Sequence, residues 1–428
     1  MNASLGFTLL FTVALAASVL ARLWLASRQI RHVARHRDAV PAPFDATVPL
    51  AAHQRAADYT VAKARFGLLE LAFGAVVLLG WTLLGGLQAL NDVLLAAIGP
   101  GMLQQLALLA SFVVIGGLLE VPFTLYQTFV IEQRHGFNKM TFGLWLADMA
   151  KGVVLAALIG LPIAALILWL MAALPAEPWW RSWWLAGWAV WVAFNLLLLV
   201  IYPMFIAPLF NQFKPLADEA LTRRITALMQ RCGFAAKGLF VMDGSRRSAH
   251  ANAYFTGFGA AKRVVFYDTL LNKLAPDEVA AVLAHELGHF KRRHIARRSI
   301  GLFGMSLVGF ALLGWLSTRV WFYTGLGVTP QLAGGPSDAL ALLLFVLVAP
   351  VFAFFAAPLL SRLSRRHEFE ADAYAVQQTG SEALSTALLK LYEDNASTLT
   401  PDPLFVKFYY SHPPASERLA RMATGAAA

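Results

Sequence analysis

Apolar runs long enough to cross a bilayer recur along this sequence and limit its fold more than any other feature. They fall at about 5–25, 66–90, 103–126, 152–174, 184–206, 300–316 and 340–360. A helix rises 1.5 Å per residue, so about twenty apolar residues span the hydrocarbon core. Lipid offers no partners to backbone N–H and C=O groups, so such runs must be helical. The composition agrees, with 58% of the 428 residues hydrophobic and 14% charged, where a soluble domain carries nearer a quarter charged. The expected fold class is predominantly α: a polytopic membrane protein with about seven transmembrane helices and a small α+β region. The first run lacks a basic stretch before it and reads as a retained span, not a cleaved signal.

The net charge of +10 does not point to nucleic acid, because the basic residues cluster beside the apolar runs. Arg28, Arg31, Arg35, Arg37, Arg55, Lys63 and Arg65 follow the first run, Arg134, Lys139 and Lys151 the third, and Arg362, Arg365 and Arg366 the seventh. Loops after runs two, four and six carry little charge. By the positive-inside rule the N-terminus is expected outside, with the catalytic region and the C-terminus on the cytoplasmic side. Several polar residues fall in or near the runs, among them Glu70, Glu120, Asp148 and Asn195. Such groups line a water-filled route or make helix–helix hydrogen bonds, and both readings stay open. Lys151 close by favours an interfacial place for Asp148. The lone Cys232 excludes an intramolecular disulfide and a cysteine metal site.

The chemistry concentrates in His285-Glu286-Leu287-Gly288-His289, inside a stretch of helical character from Pro276 to Phe290. Residues four apart share a helix face, so His285 and His289 present two imidazoles to one metal ion. Glu286 is placed to reach a water at that ion as general base. A catalytic zinc takes three protein ligands and leaves one position open. Arg292 and Ile295 stand where the metzincin pattern needs Gly and His, which excludes that class. His294 is five residues past His289 and off the ligand face. The expected third ligand is Glu368, in Ser364-Arg365-Arg366-His367-Glu368-Phe369-Glu370-Ala371-Asp372, with His367 as a rival. Asp372, four residues on, can accept the free N–H of a ligand histidine and fix its tautomer. Runs six and seven lie between the two motifs, and a two-span hairpin returns the chain to the same side. Softness and geometry make one Zn2+ per chain the default metal.

The polar sequence before the motif reads as a helix from Ala217 to Arg231. Strands follow at Leu239–Met242, His250–Gly257 and Arg263–Tyr267. An edge strand here can pair with an extended substrate. A second helix is expected from Glu382 to Tyr392. The divisions are 1–207 for the N-terminal membrane region of about five spans and 208–299 for the catalytic region. A transmembrane hairpin occupies 300–360, and 361–428 completes the catalytic region.

H-E-L-G-H followed by S-R-R-H-E-F-E-A-D resembles the type I CAAX prenyl protease family, integral-membrane zinc metalloendopeptidases. Phe129-Val130-Ile131-Glu132 with Gly136-Phe137-Asn138-Lys139, and the tail Ser411-His412-Pro413-Pro414 through Arg418, resemble further signatures of that family. The resemblance implies zinc on His285, His289 and Glu368, Glu286 as base, and His412 as the group that stabilises the oxyanion. It points to Asn252, Ala253 and Tyr254 as the substrate-binding edge. Arg418 then orients a substrate carboxylate or pairs with Glu417. The implied partners are a peptide or protein substrate, including a prenylated one, and the lipid bilayer. Two other readings compete: a membrane quality-control protease with no prenyl requirement, and a transporter with a structural zinc. A structural site needs no base and is closed by four ligands, so Glu286 argues against the transporter.

Overall fold

The computed structural model describes residues 2–424 apart from 43, 176–177, 235–237, 257–262 and 332–336. Gly257, expected to end a strand, and residues 176–177 of the turn before the fifth run lie outside the described residues. Seven helices are long and apolar enough to cross a membrane: Ala3–Arg35, Leu50–Trp81, Met102–Glu132, Phe142–Ala173, Trp183–Phe210, His294–Leu316 and Asp338–Thr379. Most extend beyond the apolar runs, because polar helical turns continue past the lipid boundary. The basic stretch after the first run is therefore largely helical.

The second helix departs from its expected extent of 66–90. It starts at Leu50, ends at Trp81, and is followed by a separate short helix, Gly86–Ile98. The break has a local cause. The Thr82 hydroxyl donates to the Leu78 carbonyl at 2.6 Å, competing with the helical ladder. Gly85 then takes a left-handed conformation with φ +79°, and a Cβ on Gly86 would sit 2.6 Å from the Gly80 carbonyl oxygen. Only glycine turns the chain so tightly there.

The polar sequence builds a four-stranded sheet of β1 (Phe213–Pro215), β2 (Leu239–Met242), β3 (Ala253–Thr256) and β4 (Arg263–Tyr267), in the order β1-β2-β4-β3. β2 and β4 run parallel and the other pairs antiparallel. β1 was not foreseen, being three residues long and containing a proline. β3 pairs with β4 in the register Ala253 to Phe266 and forms the edge. The helices Glu219–Arg231, Pro276–Lys291 and Ser381–Asp394 pack with this sheet into one core. That core draws on Ile225, Phe266, Leu283 and Leu287 from before the membrane hairpin and on Ala375, Ala387 and Met422 from after it. The two polar stretches are thus halves of one folding unit.

Candidate metal centre and active site

The helix Pro276–Lys291 carries the H-E-x-x-H motif. Pro276 occupies its first turn, and Glu278 reaches back to accept the Ala275 N–H at 2.7 Å. Its apolar face, including Val279, Ala280, Leu283 and Leu287, sinks into the core. Gly288 sets how close the next element comes. A Cβ there would lie 3.0 Å from both Cα and O of Ala371. This backbone-to-backbone approach joins the motif helix to the polar end of Asp338–Thr379, where Ala371 and Ala375 are fully buried. Glu368 and Asp372 are thereby brought against the histidines.

His285, His289 and Glu368 each offer a donor atom, and these atoms all lie within 4.8 Å of one another. The His285 and His289 Nε2 atoms are 3.3 Å apart, and each is 3.4 Å from a Glu368 carboxylate oxygen. Glu368 Oε2 is buried without a hydrogen bond. Leaving a buried carboxylate oxygen so placed is costly unless a cation meets it. Two facing imidazole nitrogens and an orphaned carboxylate oxygen fit a divalent metal.

Each imidazole is held from behind by its Nδ1. His285 Nδ1 lies 2.8 Å from Asp372 Oδ1. Asp372 in turn accepts two hydrogen bonds from Arg418, Nε to Oδ2 at 2.8 Å and Nη2 to Oδ1 at 2.5 Å. Arg418 is buried, and its guanidinium is spent on this carboxylate, not on Glu417. It also stands 3.5 Å from His285 Nδ1. His289 Nδ1 lies 3.0 Å from His294 Nδ1, and His294 Nε2 lies 3.0 Å from Glu370 Oε2. Helical spacing alone carries His294 off the ligand face. The helix stops at Arg292, however, and Arg293 at φ +55° turns the chain so that His294 swings behind His289. His367 is not among the clustered donors. It stacks on His294 with centroids 4.2 Å apart.

Burial would lower the His285 pKa, but the Asp372 and Glu368 carboxylates overcome it and carry the metal-free ring to about 9. Burial and the neighbouring His285 push His289 down to about 4, leaving the neutral ring with one nitrogen lone pair. Burial also raises the Glu286 carboxyl above its ordinary value.

A cavity of about 930 Å³ opens beside these groups, with Glu286, His285, Asn252, Ala253 and His412 on its wall. His412 Nε2 is 3.5 Å from Glu368 Oε2 and its Nδ1 is 2.9 Å from Ser411 Oγ. Tyr254 points away, as strand alternation requires, and lines a small separate cleft with Tyr202, Pro203 and Phe240. Glu70, Glu120, Asp148 and Asn195 are not on the cavity wall. Asp148 accepts a paired hydrogen bond from Arg247, at 2.8 and 3.1 Å, and Asn195 donates to the Trp191 carbonyl of its own helix at 2.8 Å. Glu132 has a structural role that its motif alone did not disclose. It accepts from the Tyr59 hydroxyl at 2.5 Å and lies 3.5 Å from His250 Nε2, tying two spans to the approach of β3.

A seven-span bundle carrying an H-E-x-x-H helix, a carboxylate as third donor and a substrate-sized cavity defines an integral-membrane metallopeptidase. Residues 29–212 match the family model described as the CAAX prenyl protease N-terminal region with five membrane helices, and residues 215–425 match Peptidase family M48. A CAAX prenyl protease 1 homolog of Arabidopsis thaliana is 39% identical over 321 residues, covering 74% of this chain and 73% of its own. CAAX prenyl protease 1 of Saccharomyces cerevisiae is 33% identical over 386 residues, covering 85% and 84%. The crystal structure of S. mikatae Ste24p superposes with a TM-score of 0.90 at 30% identity, covering 97% of this chain and 99% of that one. The chain belongs to the CAAX prenyl protease 1 family of M48 metallopeptidases. It is a multi-pass membrane metalloendopeptidase.

Proposed function

We propose that this enzyme uses zinc held by His285, His289 and Glu368 to hydrolyse peptide bonds near the C-terminus of prenylated proteins, at the cytoplasmic face. The observation that carries the reading is the convergence of those three donors at one point, with His285 and Glu286 on the wall of a cavity that Ala253 of β3 also lines. The orphaned Glu368 oxygen supports the metal. The names of the relatives support the prenylated substrate, and the distribution of Lys and Arg supports the sidedness.

Bound zinc supplies a Lewis acid that acidifies a water and polarises a carbonyl. The rest is the work of this chain's residues. Ala253 holds an extended substrate along the free edge of β3 through its backbone, while the Asn252 carbonyl is taken by the Tyr267 N–H and Asn252 lines the cavity beside it. Glu286 takes the proton of the attacking water and returns it to the leaving amine. His412, on the cavity wall, donates a hydrogen bond to the oxyanion. Asp372 holds His285 in the tautomer that turns Nε2 toward the metal, and Arg418 holds Asp372.

The test compares a farnesylated peptide ending in a CAAX sequence with its unmodified twin, using purified wild-type and Glu286→Gln protein. Cleavage confined to the farnesylated peptide and abolished by the substitution is expected. Equal cleavage of both peptides would keep the chemistry and refute the prenyl requirement. Equal turnover by wild type and variant would refute the base.

A further inference from the structure

Arg22 lies in the first membrane helix, Ala3–Arg35, where a cation is expensive to place and marks a function when present. Its guanidinium carbon rests 4.5 Å from the centroid of the Phe354 ring. Its Nε is buried and has no hydrogen-bond partner. Among the described residues no carboxylate pairs with it. Arg22 nevertheless lines the same cavity as His285 and Glu286.

The charge on that cavity wall is lopsided. Arg22, Lys63 and Arg418 are its permanent cations, and Glu286 is its one carboxylate among the described residues. Two of the cations already have partners. Arg418 is spent on Asp372. Lys63 donates to the Tyr59 hydroxyl at 3.3 Å, which is itself bound to Glu132. Arg22 is left over, with Ala26, Gly67, Leu68 and Leu71 also lining the cavity. A planar guanidinium with free N–H groups, on a wall of small and apolar residues, suits a carboxylate on an otherwise apolar chain.

We propose that Arg22 is the receptor for the substrate's C-terminal carboxylate. The site would then select peptides by their free end as well as by their side chains. An internal segment, which has no such carboxylate, would lack this contact. The proposal deepens the reading above and rests on the substrate occupying this cavity.

Binding tests it without turnover. In full-length Glu286→Gln protein, fluorescence anisotropy compares a farnesylated peptide bearing a free C-terminal carboxylate with the same peptide amidated. The acid is expected to bind about tenfold more tightly, the worth of one charge-assisted hydrogen bond. Adding Arg22→Gln should bring the acid down to the affinity of the amide and leave the amide unchanged. Arg22→Lys should keep part of the preference. An acid preference that survives Arg22→Gln, or no preference in the parent, overturns the proposal. Equal weakening of both peptides also overturns it, because it marks a structural role. Cleavage by the wild-type protein is read separately. Failed cleavage with an intact Arg22-dependent preference would refute the hydrolytic reading and leave the carboxylate site standing.

Discussion

His285 and His289 stand one helical turn apart, yet different supports lie behind the two rings. His285 is backed by Asp372 and then Arg418, all three buried and closed off by short hydrogen bonds. His289 is backed by His294 and then Glu370, whose other oxygen reaches the exposed Arg366 at 3.1 Å. The first support is a fixed ion pair in the core. The second passes through the buried His294 and ends at the surface on Arg366. The position of His285 is therefore set by folding, whereas that of His289 can be tuned with little effect on the fold.

The sharpest way to break this contrast is Asp372→Ala. It strands a buried guanidinium and frees His285 at once. Breaking a buried pair from one side costs about 3–5 kcal/mol. The expected result is a large fall in thermal stability together with loss of bound metal, read by unfolding in detergent and by metal analysis. A stable variant with normal metal content would show that Asp372 supports neither ring nor fold.

The two rings also pull the metal-free protein in opposite directions with pH. The His285 pKa is raised from its ordinary 6.5 to about 9 by the Asp372 and Glu368 carboxylates against the effect of burial. Its stabilisation is fully present below pH 6.5 and is lost as pH rises through 9. His289 is lowered from 6.5 to about 4, chiefly by burial, so it opposes folding increasingly as pH falls across that interval. Chelator-treated protein should lose stability on the alkaline side through His285, and Asp372→Asn should flatten that limb. An alkaline limb unchanged in Asp372→Asn would refute the assignment.

The unequal supports also explain what could be read from the sequence. Glu368 and Asp372 lie on one helix four residues apart, and helical period alone puts them on one face. The apolar runs located the seven spans for the same reason: length and composition decide whether a helix enters lipid. His294 was hidden because its place depends on where a helix stops. A left-handed Arg293 reverses the inference that spacing would give. The break at Gly85 was hidden likewise, since a continuous apolar run conceals a turn made by two glycines. Arg22 was readable as a residue but not as a site. Only the fold shows that the other cations of its cavity are already partnered.

His294→Ala should affect the metal more than the fold. Groups that hold a ligand histidine from behind are worth 10- to 100-fold in metal affinity, and about tenfold is expected here because the site is partly open. A chelator-competition titration reads it, with thermal stability of the metal-free protein as the control. A loss of stability matching that of Asp372→Ala would erase the distinction between the two supports.

Glu370→Gln is the smallest and most discriminating change. It removes a charge but preserves an oxygen able to accept the His294 Nε2 proton. If orientation of His294 is what matters, the metal affinity should fall by less than in His294→Ala. If the charge matters, the two variants should coincide. The exposed Arg366 already shares Glu370, and a pair of that kind contributes about 0–1 kcal/mol. The expectation is therefore a change of a few-fold at most, reduced further by salt. A salt-insensitive loss as large as that of His294→Ala would show that the outer support of His289 is as electrostatic as that of His285, and the two rings would then differ only in depth.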